Sequence, residues 1–118
     1  MRANVYFTRE ITPEKVVELY RALGVELPGK VAVKVHSGEK GNQNFLRPEF
    51  WCPMVEEVHG TIVECNTAYG DAAGGVRDHT ESHRKLLQEH GWTKYFDVDL
   101  MDTVQHRTFN YFWDGAEP

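Results

Sequence analysis

Ligand-capable side chains are concentrated in two short stretches of this chain. The first stretch carries His36, Ser37, Gly38, Glu39, Lys40, Gly41, Asn42, Asn44 and Arg47. The second carries Glu64, Cys65, Asn66, Thr67 and Tyr69. Glycine allows a ligand to approach the backbone closely, and lysine and arginine pair with carboxylate or phosphate. The pattern predicts a site for a small anionic ligand, with charge from Lys40 and Arg47. Asn42 and Asn44 would supply hydrogen bonds.

The first stretch matches no named nucleotide-binding motif. It contains neither GxxxxGK[ST] nor GxGxxG, so the sequence does not identify a phosphate cradle of either kind. Glycine and asparagine are also the residues that tight turns require. A polar surface loop without a ligand is therefore the alternative interpretation of this stretch.

Two histidines four residues apart, His79 and His83, suggest a metal site on a predicted helix. Side chains at this spacing share a helix face, and imidazole is a common ligand of transition metals. A third ligand would come from Glu64, His36 or Asp71. Leu86 and Leu87 lie on the same stripe as these histidines and His90. The alternative is that the histidines are packing residues with a hydrogen-bonded ring nitrogen.

A cysteine at a predicted strand end, Cys65, is a candidate nucleophile or redox thiol, with His36 as its partner. The alternative is a small buried apolar residue, which is common for free cysteine. The same interpretation applies to Cys52, which lies between an aromatic residue and a proline. Asp97 and Asp99 share one face of a predicted strand and suggest acid–base chemistry, or else a solvated strand face.

The elements that would position these residues follow from apolar periodicity and turn signals. Strands are predicted at 4–8, 30–36, 61–65 and 95–100, and helices at 13–23, 48–59 and 76–91. The order β-α-β-α-β-α-β predicts a three-layer α/β fold with a mainly parallel sheet of about four strands and flanking helices. In such sheets, ligands bind at the carboxyl ends of the strands, so both polar stretches are expected at one edge.

Composition narrows the functional classes. The chain has 118 residues, of which 41% are hydrophobic and 26% are charged, which is typical of a globular domain. The formal charge of −5 argues against a nucleic-acid partner. No apolar run is long enough to span a membrane, and the beginning lacks the apolar core of a secretory signal. We therefore expect a cytoplasmic protein in which two cysteines do not form a disulfide framework.

Four segments, KVAVKVHSGEKGNQNFLRPEF, GTIVECNTAYG, HRKLLQEHGW and DVDLMD, together resemble the amino-terminal part of the family called domain of unknown function 362. Members are described as uncharacterised iron-sulfur-centre proteins. The resemblance covers residues 4–102 and implies an α/β domain at 1–101. The signature residues that it implies are Lys34, His36, Gly38, Glu39, Gly41, Asn42, Arg47, Pro48, Glu64, Asn66, Thr67, Tyr69, His83 and His90.

The chain departs from that family in two ways. Many members carry clustered cysteines, whereas this chain has two cysteines, so no self-contained iron-sulfur cluster is expected. The segment 102–118 resembles the start of a glucoamylase-like domain but carries no catalytic apparatus, and we expect it to form a helical or disordered tail. These departures predict, as an alternative to ligand binding, a truncated fragment that needs a protein partner, a homo-oligomer or a missing carboxyl-terminal half.

Overall fold

The computed structural model describes residues 1–68 and 75–103 of the chain. They form an α/β domain with three helices and a three-stranded parallel sheet. The elements are α1 (Pro13–Ala22), β1 (Ala32–Lys34), α2 (Cys52–Val58), β2 (Thr61–Glu64), α3 (Thr80–Glu89) and β3 (Asp99–Leu100). Short 3-10 helices span Pro48–Trp51, Trp92–Lys94 and Met101–Thr103. Of the helices in these ranges, none combines the length and apolar character needed to cross a membrane.

Local backbone signals determine where the helices begin and end. The Thr12 hydroxyl accepts a hydrogen bond from the Lys15 amide at 3.2 Å and caps α1, and proline occupies the first helical position. Gly24 follows α1 with a φ of +63°. These predicted boundaries are confirmed. The helix predicted from Pro48 begins as a 3-10 turn and continues as α2, which ends at left-handed His59.

The sheet has the strand order β1-β2-β3, and both neighbouring pairs are parallel. A buried cluster of Val35, Ile62, Leu87 and Trp92 lies between the sheet and the helices. Val55 of α2 packs against the same cluster as Leu87 of α3. Both helices therefore cover one face of the sheet, as expected when successive right-handed crossovers advance in one direction.

The described residues thus form two layers, where the sequence predicted three. On the other face of the sheet, Ala32, Lys34, Thr61 and Asp99 are exposed, whereas Val63 of the central strand is buried. The first helix does not cover this face but packs against α2, where the Arg21 guanidinium makes two hydrogen bonds of 2.7 Å to a glutamate carboxylate.

The structure contains no strand at residues 4–8, where the sequence predicted the first of four strands. Strand-type residues form a strand only when a neighbouring strand supplies hydrogen-bond partners, and local sequence cannot supply them. Between residues 8 and 10 the backbone turns, and the Thr8 hydroxyl accepts a hydrogen bond from the Glu10 amide at 3.1 Å. The predicted first strand is therefore an exposed segment in this structure.

Two further elements are shorter than predicted because their backbone groups are used elsewhere. The Tyr95 and Phe96 amides both donate to the Trp92 carbonyl, so residues 92–96 turn and β3 begins only at Asp99. Similarly, the backbone of residues 76 and 77 bonds to neighbouring loops, and α3 begins at Thr80. The predicted tail begins in the last 3-10 helix, and its residues after 103 lie outside the described part of the chain.

Candidate functional site

The carboxylate of Glu64 is buried where β1 and β2 end. Only 1% of the residue is exposed. One oxygen accepts hydrogen bonds from the amide and the hydroxyl of Ser37, at 2.9 and 2.7 Å. The other accepts from the ammonium of Lys34 and from the Cys65 amide, the latter at 3.0 Å. The Arg77 guanidinium lies 3.5 Å away, so the buried charge is fully compensated.

These donors determine the protonation of Glu64. Burial alone raises the pKa of this carboxyl group, but the hydrogen bonds from Lys34, Ser37 and Cys65 outweigh burial and hold the pKa below its ordinary value. Glu64 is therefore an anion at neutral pH. A buried, permanently charged and fully hydrogen-bonded carboxylate is suited to organising its neighbours and unsuited to exchanging protons with a substrate.

A chain of polar side chains continues from Ser37 into α3. The Ser37 hydroxyl lies 3.1 Å from His83 Nε2, and His83 Nδ1 lies 3.0 Å from the Asn66 side-chain oxygen. The side-chain amide nitrogen of Asn66 donates to the Thr80 hydroxyl at 3.0 Å. Burial lowers the pKa of His83, so its ring is neutral near pH 7.

The order serine, histidine, asparagine is similar to a hydrolytic triad in its contacts but not in its exposure. Both Ser37 and His83 have no exposed surface, so an acyl group could not reach the hydroxyl oxygen. The single hydroxyl proton of Ser37 faces two acceptors inside the cluster, Glu64 and His83. The geometry therefore supports a structural network and not a nucleophile.

A second carboxylate, that of Glu39, links the loops that follow β1 and β2. It accepts hydrogen bonds from the Val76 amide at 3.1 Å and from Arg77 Nε at 3.0 Å. The Thr67 amide donates to the Arg77 carbonyl at 2.8 Å. Burial raises the pKa of Glu39, but the Lys40 amide, Arg77 and the Val76 amide together lower it below its ordinary value. The two predicted site loops are thus joined at the same sheet edge.

The loop after β1 is also attached to the carboxyl-terminal end of α3. The Ser37 carbonyl accepts hydrogen bonds from His90 Nδ1 at 2.9 Å and from the Trp92 indole at 3.0 Å. The Phe45 ring stacks on His90 with a centroid distance of 4.7 Å, and the Arg47 guanidinium lies 4.2 Å above the same ring. The conformation of this loop is therefore determined by packing against α3.

Three of the residues that the sequence grouped as an anion site make contacts within their own loop. The Arg47 guanidinium is occupied by Phe45 and by the carbonyl and side-chain oxygens of Gln43, at 3.2 and 2.8 Å. Asn42 and Asn44 bond to each other in a turn, with the side-chain oxygen of the first accepting from the amide of the second at 2.7 Å. These contacts engage the three side chains within the loop, and anion binding by this loop stays a prediction.

Three other predicted residues lie together at the end of the sheet. Lys34 and His36 are two residues apart on β1 and its continuation, so both side chains point to the uncovered face. Cys65 follows β2 on the same side. The Lys34 side chain is 49% exposed, and His36 is exposed. We call these three residues the strand-end surface. Within the described residues, no hydrogen bond involves the His36 imidazole.

The environment of the strand-end surface determines its protonation. Burial, followed by the charge of Arg77, lowers the pKa of His36, so the imidazole is neutral near pH 7. Burial raises the pKa of the Cys65 thiol, which therefore stays protonated. A protonated thiol is a poor nucleophile, so the geometry does not favour the predicted nucleophilic role of Cys65.

The predicted metal ligands His79 and His83 have different environments. His79 precedes α3 with its side chain 77% exposed and 3.3 Å from the Asp78 carboxylate. His83 is buried, and both of its ring nitrogens contact protein atoms. Across 1–68 and 75–103, no group of three or more histidine, cysteine or acidic residues is arranged to hold a metal ion. Tyr69 and Asp71 lie outside the described residues.

Arg77 is the main site residue that the sequence did not identify. In the predicted helix 76–91, Arg77 would lie in the first turn, where the helix dipole makes a cation unfavourable. That conflict was the available signal that position 77 precedes the helix. The double acceptor role of the Ser37 carbonyl had no signal in the sequence, since any residue has a carbonyl.

Comparison of the chain with protein-family models, with curated proteins and with solved structures finds no match.

We predict that Glu64→Gln destabilises the fold by about 3 kcal/mol, because the amide leaves Lys34 and Arg77 without their buried counter-charge. Urea unfolding monitored by circular dichroism measures this change. Glu57→Gln is the matched control, since it breaks the exposed pair with Arg21 and should have a much smaller effect. Equal losses for the two variants would contradict the central role of Glu64.

We predict that stability decreases when the pH is lowered from 7.5 to 5.5. The folded-state pKa values of His36 and His83 lie below the ordinary value of about 6.5, so the unfolded chain binds protons first and is favoured as the pH falls. A further decrease in stability follows near pH 4, because Glu39 and Glu64 take up protons in the unfolded chain before they do so in the folded chain. Urea titrations at several pH values test this prediction, and stability that rises towards pH 5.5 would contradict it.

We predict that Gly38→Ala costs about 3 kcal/mol, from left-handed backbone strain and steric overlap. Gly38 has a φ of +88°, and an added Cβ would lie 2.5 Å from the Phe45 ring and 2.9 Å from His90 Nδ1. Gly41→Ala is the control, because its φ of +74° imposes similar strain but nothing lies within 4 Å of its Cβ position. Its cost should be about 1 kcal/mol. Equal effects in urea unfolding would show that close packing at Gly38 is unimportant.

Proposed function

We propose that this domain binds a small anionic ligand, a carboxylate or a phosphate, at the strand-end surface. The observation that carries the proposal is the arrangement of Lys34. Its ammonium donates to buried Glu64 and to the Val35 carbonyl, while half of its side chain remains exposed beside His36, whose imidazole has no hydrogen-bond partner among the described residues. A lysine held in place in this way loses little conformational entropy when it contacts a ligand.

The position of this surface in the fold also supports the proposal. Ligands of parallel sheets bind outside the carboxyl ends of the strands, and Lys34, His36 and Cys65 lie there. The network under the surface connects β1, β2 and α3, so its backbone is rigid. A rigid first shell supported by a second shell of hydrogen bonds is a general feature of binding sites.

Charge balance indicates how such a ligand would bind. Lys34 and Arg77 carry two positive charges, whereas Glu39, Glu64 and Asp102, whose carboxylate accepts from the Asn66 amide next to Cys65, carry three negative charges, so the surroundings are net negative when His36 is neutral. An anion would favour the protonated imidazole, and binding should therefore be coupled to proton uptake by His36. This coupling gives the proposal a pH signature that a nonspecific effect of lysines would lack.

Lys40 and Arg47, the cations that the sequence analysis selected, are the natural comparison. They belong to the same loop, and Arg47 is occupied by Phe45 and Gln43, whereas the Lys34 ammonium retains one N–H beyond its bonds to Glu64 and Val35. The proposal therefore transfers the binding role from the loop to the strand end and predicts that these two cations are dispensable.

We predict that phosphate or a small carboxylate raises the unfolding temperature more at pH 6 than at pH 8. A ligand at 100 times its dissociation constant adds about 2.7 kcal/mol to stability. His36→Ala should abolish the pH dependence, and Lys34→Gln should reduce affinity at both pH values. Thermal unfolding against a panel of anions, with each variant compared with its own ligand-free sample, measures these effects.

The double variant Lys40→Ala, Arg47→Ala and the single variant His79→Ala serve as controls that should bind as the native chain does. Loss of binding in the double variant, with binding unchanged in His36→Ala, would return the site to the loop. No stabilisation by any anion at either pH would refute the proposed function.

A further inference from the structure

The amino-terminal segment exposes an unusual concentration of large apolar side chains. Val5 is 88% exposed, Phe7 is 79% exposed and Tyr6 is 46% exposed. The sequence of residues 4–8, NVYFT, is rich in β-branched and aromatic residues, the types that strands favour. Exposed apolar groups of this density mark a surface that becomes covered by association.

The sheet presents an edge that can accept such a strand. In the order β1-β2-β3, β1 is an outer strand, and within the described residues it pairs only with β2. The Val31 carbonyl and the Val35 amide bond to β2. Because successive residues of a strand direct their backbone groups to opposite sides, the groups of Ala32 and Lys34 face the outer edge. An open edge of this kind pairs readily with another strand.

The direction of the chain relates the segment to this edge. Residues 4–8 precede α1, and α1 packs against α2 on the covered face of the sheet. In a right-handed β-α-β unit, a strand before α1 would lie beside β1, parallel to it. In this structure the turn at Thr8 and Glu10 leads the segment away, and its apolar side chains remain exposed.

We propose that residues 4–8 of one copy of this chain add as a parallel strand to the outer edge of β1 in a second copy, and that the second copy does the same in return. The chain carries both the strand and the edge that it fits, which identifies a second copy as the partner. Exchange of an identical element between two protomers gives a closed, two-fold symmetric dimer without a new kind of contact.

A groove at the base of the segment provides room for the exchange. Ile11 and Pro13 face Phe45, Leu46 and Phe50 across a volume of about 390 Å³. Ile11 is itself 77% exposed, so the hinge between the segment and α1 does not pack tightly against the domain. The hinge residues 8–11 can therefore change direction without disturbing α1, which is anchored by its cap at Thr12 and by Arg21.

Light scattering coupled to size-exclusion chromatography tests the proposal with the full chain. We expect the native chain to elute with twice the chain mass. The double variant Val5→Asp, Phe7→Asp should elute with half that mass, because it lacks the apolar strand. Ala32→Pro should also halve it, because proline removes the outward amide at the edge while leaving the hydrogen bonds to β2. Leu27→Asp, at an exposed apolar residue outside the segment, the hinge and the groove, is the control that should remain dimeric.

Cooperative urea unfolding of each variant establishes that a change in mass is not a loss of folding. A native chain that is monomeric at all concentrations, with residues 4–8 protected from hydrogen exchange, would mean pairing within one chain and would overturn the proposal. A dimer that survives either the segment variant or Ala32→Pro would assign the interface to another surface and would overturn it too. Anion binding by the monomeric variants separates this proposal from the strand-end ligand site.

Discussion

Burial of the Glu64 carboxylate is the constraint on which the rest of this domain depends. A charge that is removed from water must be matched by donors, and those donors come from the end of β1, from the loop after it and from the segment before α3. Meeting this requirement brings three parts of the chain to one edge of the sheet. The position of α3 and the course of both loops follow from the same requirement.

The network around Glu64 divides the polar residues of the sheet edge into two groups. Ser37, His83 and Arg77 are directed inwards, and their polar atoms contact Glu64, Glu39, Asn66 or, for Ser37 and His83, each other. Lys34 and His36 are directed outwards and are exposed. Many polar side chains therefore lie at this edge of the sheet, but few of them are exposed. The serine and histidine that are most like members of a catalytic triad are buried.

The described part of this fold has two exposed surfaces of different character. Parallel sheets are ordinarily covered on both faces, because their strands are apolar on both sides. Here, within 1–68 and 75–103, α2 and α3 cover one face, and the other carries lysine, threonine and aspartate around the buried Val63 of the central strand. A polar face tolerates water, whereas the apolar segment at residues 4–8 does not, so the two exposed surfaces have different consequences. The first is suited to a ligand and the second to another protein chain.

The sequence by itself determined the local elements and the edge of the sheet at which a site would lie. The Thr12 cap, the left-handed Gly24 and the valine-rich strands depend on backbone preferences of a few neighbouring residues, and parallel strands direct their following loops to one edge. Only the tertiary structure decided which loop residues face inwards and whether residues 4–8 form a strand. Ser37 and Glu64 are 27 residues apart, and Glu39 and Arg77 are 38 apart. Side-chain direction in an irregular loop, and pairing at a strand edge, depend on such distant partners, and local patterns do not encode them.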